Sequence, residues 1–260
     1  MNIFDSHCHL DDKSYVKDLY AVLDRAHEAG VICMMTVGVD AKTSGQAVSL
    51  AQSLEGVYAS VGVHPHDVKN CSEAVLSYLA DLAKNQEVRA WGEIGLDFNR
   101  MYSARKDQEK WFERQLEIAG RLELPMIFHE RDSNGRFLEI LKGQGLAEIN
   151  GVVHCFSGDR NELDQYLALG LHIGITGILT MESRGAQLRQ LVPTIPVDRL
   201  LVETDAPYLV PAPEKKHNRR NEPAFVKSVL MKLAEVRKED PAQLAQVVWQ
   251  NTCQLYGLET

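Results

Sequence analysis

Long apolar runs are missing from this 260-residue chain. None approaches the roughly 18 residues that a membrane-spanning helix needs, so neither a helical membrane protein nor a membrane partner is expected. Cysteine is sparse and poorly arranged for cross-linking. The five thiols, Cys8, Cys33, Cys71, Cys155 and Cys253, are odd in number and scattered, and no C-x-x-C occurs. A disulfide framework or a zinc knuckle is therefore not expected. Repeats, low-complexity tracts and long linkers are absent too, which argues for one domain over residues 1–260. Positive charge is in deficit. Lys and Arg number 28 against 36 Asp and Glu, a net −8, too acidic to coat duplex nucleic acid by bulk charge. Any phosphate must be met by a local basic patch or by metal ions. The opening MNIFDSHCHLDD turns acidic early and carries no basic or long apolar stretch, so no leader is expected and the chain reads as cytoplasmic. Nothing calls for more than a monomer.

What is present is an alternation. Short β-branched or apolar runs at Asn2–Ser6, Val31–Val37, Val57–Val63, Val88–Gly92, Pro125–Phe128, Gly151–Val153, Leu171–Ile175 and Arg199–Val202 read as strands. Helical patterns lie between them. Lys17–Glu28 puts Leu19, Val22, Leu23 and Ala26 on one face, and Gln108–Leu122 does the same with Trp111, Phe112, Gln115, Leu116 and Ala119. Two shorter stretches, Leu163–Leu169 and Leu188–Val192, follow the same logic. The chain closes with helical patterns at Ala224–Val236 and Pro241–Tyr256, the second with Asp240 as N-cap and Pro241 at the first helical position. Strand and helix repeated eight times imply parallel strands with right-handed crossovers. An open doubly wound sheet would gather its reactive groups at one switch point. Here ionisable residues recur at the ends of many strands, which favours a (β/α)8 TIM barrel with C-terminal helices.

Those strand ends carry the chemistry. In Asp5-Ser6-His7-Cys8-His9 the two histidines alternate onto one face and can grip one ion. His64 follows Ala59–Val63, Glu93 follows Ala90-Trp91-Gly92, His129 follows Met126–Phe128, and His154 follows Gly151–Val153. Glu203 and Asp205 share a face after Leu200–Val202. Several buried carboxylates need counter-charge. Four histidines with two or three carboxylates exceed one tetrahedral ion and suit a two-metal centre.

These segments also resemble a family. FDSHCHL at 4–10, GVHPH at 62–66, GEIGLDF at 92–98, HERDS at 129–133, HCFSG at 154–158, LVETDAPYL at 201–209 and RRNEP at 219–223 are similar, in order, to the motifs of the TatD-type metal-dependent deoxyribonucleases. The resemblance implies a barrel metallohydrolase. It would cleave phosphodiester bonds of single-stranded DNA, and of RNA as well, from 3′ ends through a water activated by two divalent metals (Mg2+, Mn2+ or Zn2+). Within the family the activity extends to abasic sites. It further implies His7, His9 and Asp205 as ligands of one metal, Glu93 as the bridge, and His129 and His154 as ligands of the second. Asp205, His64 and Glu203 are then the candidate catalytic groups: Asp205 to take a proton from water or to orient the hydroxide while bound to metal, His64, or a metal in its place, to support the departing oxygen, and Glu203 to orient a metal-bound water or a ligand or to act as a structural acceptor. Glu130 departs from the usual neutral residue, but alternation points it away from His129.

Substrate contacts are expected from the irregular stretch Pro207–Pro223, with its basic core Lys215-Lys216-His217-Asn218-Arg219-Arg220 starting just after Asp205. Arg219 or Arg220 could fork onto a phosphate, Asn221 could bond phosphate or sugar, and Glu222 could tie the loop down. Arg131 beside His129 completes the candidate set, and Phe98, Tyr102 or Phe156 could stack bases. The alternative function is a small-molecule amidohydrolase of the same barrel superfamily. Those enzymes commonly bridge two metals with a modified lysine where this chain has Glu93.

Overall fold

The computed structural model describes residues 1–145 and 149–259. Its strands are β1 Ile3–Cys8, β2 Val31–Val37, β3 Val57–Val61, β4 Val88–Asp97, β5 Met126–Arg131, β6 Gly151–Val153, β7 His172–Ile175 and β8 Leu200–Val202. They lie in one sheet in chain order with parallel pairing. The segment after β8 runs beside β1. Cys8 bridges Ala206, the His9 amide donates to the Ala206 carbonyl at 2.8 Å, and the Asp205 amide donates to the His7 carbonyl at 2.9 Å. A sheet whose first strand is bonded by the segment that follows its last closes as a barrel, and with helices between the strands the fold is the expected (β/α)8 class.

The helices are α1 Leu19–Ala29, α2 Ala41–Ser53, α3 Glu73–Leu82, α4 Arg105–Leu122, α5 Arg136–Gly143, α6 Arg160–Ala168, α7 Ala186–Leu191, α8 Ala212–Lys215, α9 Val226–Arg237 and α10 Pro241–Leu255. Asp240 caps α10 by accepting from the amides of Ala242 and Gln243, with Pro241 in the first turn, as the sequence indicates. None of the described helices is long and apolar enough to cross a membrane.

By contacts the chain divides into two compact units. One comprises Met1–Thr36, Cys155–Asp159 and Ile173–Thr260; the other comprises Val37–His154 and Arg160–His172. In the first, α10 packs on β1 and β8, and Phe4 meets both Trp249 and Tyr256 with ring centroids 6.0 Å apart. In the second, Phe112 of α4 and Phe137 of α5 stack at 5.2 Å, and both meet Phe128 of β5 edge-on. All three rings are fully buried, each contributing about 1.5–3 kcal/mol by leaving water.

Three site-bearing strands run longer than their sequence suggests. β1 continues to Cys8, β5 to Arg131 and β4 to Asp97, so His7, Glu93 and His129 lie within strands rather than just beyond them. β4 reads as ending at Gly92, because glycine usually breaks a strand. It continues because the ladder to β5 holds through the pair Asp97–Arg131, after a register shift between Trp91 and Ile94. Gly95, at φ +144°, belongs in that ladder because a Cβ there would collide with the His129 carbonyl.

Candidate metal-binding clusters

Each compact unit builds a cluster of imidazoles and carboxylates. In the second unit, Glu93 on β4 and His129 on β5 stand side by side, with Glu93 Oε1 3.0 Å from His129 Nδ1. His64, three residues past β3, brings its Nε2 to 3.6 Å from the same oxygen. The ligand atoms of His64, His66 and His129 all lie within 4.8 Å of one another. His64 Nδ1 accepts from the His66 amide at 3.1 Å, so its ring proton sits on Nε2, and burial holds its pKa well below the ordinary histidine value. His129 behaves oppositely. Burial disfavours its charge, but hydrogen bonds with Asp97 and Glu93 carry its pKa up to about 9. This pocket wants a positive charge, and a divalent cation would take the place of that proton.

In the first unit, β1 places His7 and His9 two residues apart, with ring centroids 5.1 Å from each other. Asp205, at φ +56° in the left-handed region, turns its Oδ1 to 3.4 Å from His9 Nε2 and 3.8 Å from His7 Nε2. The longer distance is too great for a hydrogen bond. Two ligand atoms at about 2.1 Å from one tetrahedral ion are themselves about 3.4 Å apart. The spacings of Asp205 with His7 and His9, and of Glu93 with His64, therefore suit donors arranged round an ion. Imidazole and carboxylate are fitting ligands for zinc, manganese or iron.

The backbone around Asp205 is fixed by buried polar groups. Asp5 accepts from the Thr204 amide at 2.8 Å and the Thr204 hydroxyl at 2.6 Å, and burial raises its pKa to about 8. Glu203 is fully buried, with Oε1 accepting from the Cys155 amide at 2.6 Å and Oε2 from the Ser6 hydroxyl at 3.3 Å. Gly174 of β7 faces that carboxylate, and a Cβ there would come to 2.6 Å from both oxygens. His154 follows β6 in the second unit, buried, its amide donating to Phe128 at 2.9 Å.

The candidate substrate residues separate. Arg220 pairs with Asp18 at 2.6 Å and with Glu222 at 2.9 Å, and lies 4.7 Å over the Tyr15 ring. Glu222 in turn takes both nitrogens of an Arg25 fork, which ties the loop to α1 as the sequence allowed. Asn221 is fully buried. Its amide nitrogen donates to the carbonyls of Thr204 and Tyr208, and its side-chain oxygen accepts from the Glu222 amide. The polar atoms expected to meet a phosphate are thus engaged within the chain, because a fully buried amide must satisfy itself there. Arg219, by contrast, is exposed, Arg131 is half-buried, and among the described residues neither side chain makes a hydrogen bond or ion pair. Phe156 is buried and Phe98 is covered by Arg105. Tyr102 is 56% exposed and stands edge-on to His66 at 4.8 Å, while Tyr208, 54% exposed, stands edge-on to His9 at 5.8 Å. Glu130 accepts from the Ser133 amide and hydroxyl and so serves its own turn.

Two residues of the second cluster escaped the sequence reading. His66 repeats the H-x-H spacing of His7 and His9, with Pro65 between. Asp97 lies two pairs beyond Glu93 on β4, wholly buried, its Oδ2 2.8 Å from His66 Nε2 and 3.1 Å from His129 Nε2. Burial opposes the charge of Asp97, yet bonds from His129, His66 and the Arg100 amide hold its carboxyl far below the usual range.

Known proteins match this chain over nearly its whole length. A family described as TatD related DNase matches residues 4–257. Proteins named 3′-5′ ssDNA/RNA exonuclease TatD are similar over nearly the whole length. That of Citrobacter koseri is 42% identical over 98% of this chain and 99% of its own, and that of Klebsiella pneumoniae 42% over 99% and 98%. Among solved structures, the TatD homologue YJJV of Escherichia coli superposes with a TM-score of 0.90 at 31% identity, covering 99% of this chain and 98% of the other.

Proposed function

This chain belongs to the family of TatD related DNases, and we propose that it removes nucleotides from the 3′ ends of single-stranded DNA and RNA by metal-dependent phosphodiester hydrolysis. The observation that carries the reading is the full-length similarity, at 42% identity, to proteins named for that activity. The two clusters supply its machinery. His7, His9 and Asp205 would hold one divalent cation and His129 and His154 a second, with Glu93 as the ligand they would share. Magnesium, manganese and zinc are the candidate ions. When bound, such ions lower the pKa of a water and neutralise phosphate charge.

The side chains then divide the work. Asp205 takes a proton from the attacking water, and its left-handed backbone aims it toward His7 and His9. His64, kept neutral by burial with its proton on Nε2, donates to the departing oxygen. Glu203 holds the Cys155 amide and Ser6 hydroxyl and so orients the strand ends. Arg131 and Arg219, whose side chains make no hydrogen bond or ion pair among the described residues, meet substrate phosphates. Arg220 and Asn221 shape the loop that carries Arg219.

The family match runs through both compact units without a break, which supports a single functional domain. The five unpaired cysteines support a reducing, cytoplasmic setting. The amidohydrolase alternative is disfavoured by the carboxylate at position 93. The deciding experiment digests 5′-labelled single-stranded DNA and RNA with each candidate ion, beside a panel of lactones and amides. A ladder shortening one nucleotide at a time is expected. Turnover of a lactone or amide with intact oligonucleotides would refute the reading.

A further inference from the structure

His129 offers two ring nitrogens to two different carboxylates. Nδ1 lies 3.0 Å from Glu93 Oε1, and Nε2 lies 3.1 Å from Asp97 Oδ2. Asp97 is anchored on every side. Its Oδ1 accepts from the amides of Asn99 at 3.0 Å and Arg100 at 2.7 Å. Its own amide donates to Gln108 Oε1 at 2.8 Å, and its carbonyl accepts from Gln108 Nε2 at 3.0 Å, Gln108 being buried on α4. A second imidazole, His66, reaches Oδ2 at 2.8 Å. The Asp97 carboxylate is therefore an acceptor whose position is set before any ligand arrives.

We propose that Asp97 is a positioning residue for His129: it keeps the ring proton on Nε2 and so presents Nδ1, on the Glu93 side, as the atom that binds a cation. The inference rests on the reading of His129 as a metal ligand. A neutral imidazole has one N–H and one lone pair, and a fixed carboxylate acceptor decides which nitrogen keeps the proton. A charged acceptor on the far nitrogen also makes the near one a stronger donor to metal. His66 shares the carboxylate without touching Nδ1, so it has no such role. The opposite arrangement, with Nε2 bound to metal, would make Asp97 a ligand itself and would break its bond to His129.

Two measurements on the full-length chain test this. Nitrogen chemical shifts of 15N-histidine in the zinc-loaded wild-type protein report each ring atom of His129. A protonated Nε2 with a metal-shifted Nδ1 is expected, and a metal-shifted Nε2 overturns the proposal with no variant required. Zinc titration of the metal-free chain is then compared with Asp97→Asn and Glu130→Gln. Asp97→Asn is expected to weaken one of two equivalents by about 10- to 100-fold, as loss of a carboxylate behind a metal-bound histidine does. Glu130→Gln, a carboxylate change one residue from His129 whose oxygen serves the Ser133 amide and hydroxyl instead, should stay within about threefold of wild type. Equal losses in both variants, or an unchanged affinity in Asp97→Asn, overturn the proposal. A wild-type protein that binds two equivalents yet leaves oligonucleotides intact sinks the nuclease reading alone.

Discussion

The side-chain amide of Asn221 donates to the carbonyl of Thr204, the residue immediately before Asp205, at 2.9 Å, and to Tyr208, three residues after it, at 2.6 Å. One buried amide thus spans the turn in which Asp205 adopts its left-handed conformation. Asn221→Ala leaves both carbonyls without their buried donor, at a cost of about 1–3 kcal/mol. The melting temperature is expected to fall by several degrees and kcat to fall more than KM rises. A stable variant with only a raised KM would instead place Asn221 on the substrate.

Asp205→Asn preserves shape and removes the charge that faces His7 and His9. The protein is expected to fold as wild type, because the backbone bonds from the Asp205 amide to His7 and from the Tyr208 amide to Asp205 remain. Turnover should drop on the order of 100-fold or more, as expected when a positioned proton acceptor is lost. Single-turnover assays on a labelled single strand at saturating Mn2+ measure this, and near-wild-type rates would exclude Asp205 as the acceptor.

Glu93→Ala removes the oxygen that His64 and His129 both face. If Glu93 bridges two ions, one substitution should lower the occupancy of both. Elemental analysis after dialysis against zinc is expected to give clearly fewer than two equivalents. Two full equivalents would show that the clusters fill without it. Chelation of the wild-type protein should abolish digestion, and added divalent ion should restore it.

Arg219 and Arg220 are neighbours with opposite circumstances. Arg219→Ala should raise KM several-fold, more at low salt, and leave the melting temperature unchanged. Arg220→Ala should lower stability by about 1 kcal/mol, because it breaks a partly exposed ion-pair network with Asp18 and Glu222. Thermal melts beside steady-state kinetics separate the two, and a shared phenotype would contradict the division.

Much of the barrel can be read from the sequence because strand and helix obey different periods. β2 and β6 match their sequence ranges, and the Asp240 cap is where its residue type predicts. His7, His9, Glu93, His129 and Asp205 are visible because each stands at, or a few residues past, the end of an apolar run. Less visible is whatever depends on contacts distant in sequence. Gly92 and Gly95 look like the end of β4, yet pairing with β5 carries the strand on to Asp97. Asp97 thereby becomes a buried neighbour of His129 instead of a turn residue. Asn221 and Arg220 look like phosphate ligands in a basic run. Only the fold brings Asp18, Glu222 and the Thr204 carbonyl to them.

Helix α1 gains a task from the knot at Arg220 and Glu222. Arg25 grips Glu222, Asp18 grips Arg220, and the Tyr15 hydroxyl reaches the Asn221 carbonyl. The span from Lys216 to Arg219 is thus moored at its far bank, close to the acid it follows. Lengthening or recharging that span would leave those anchors, and the Asn221 bond to the turn around Asp205, in place.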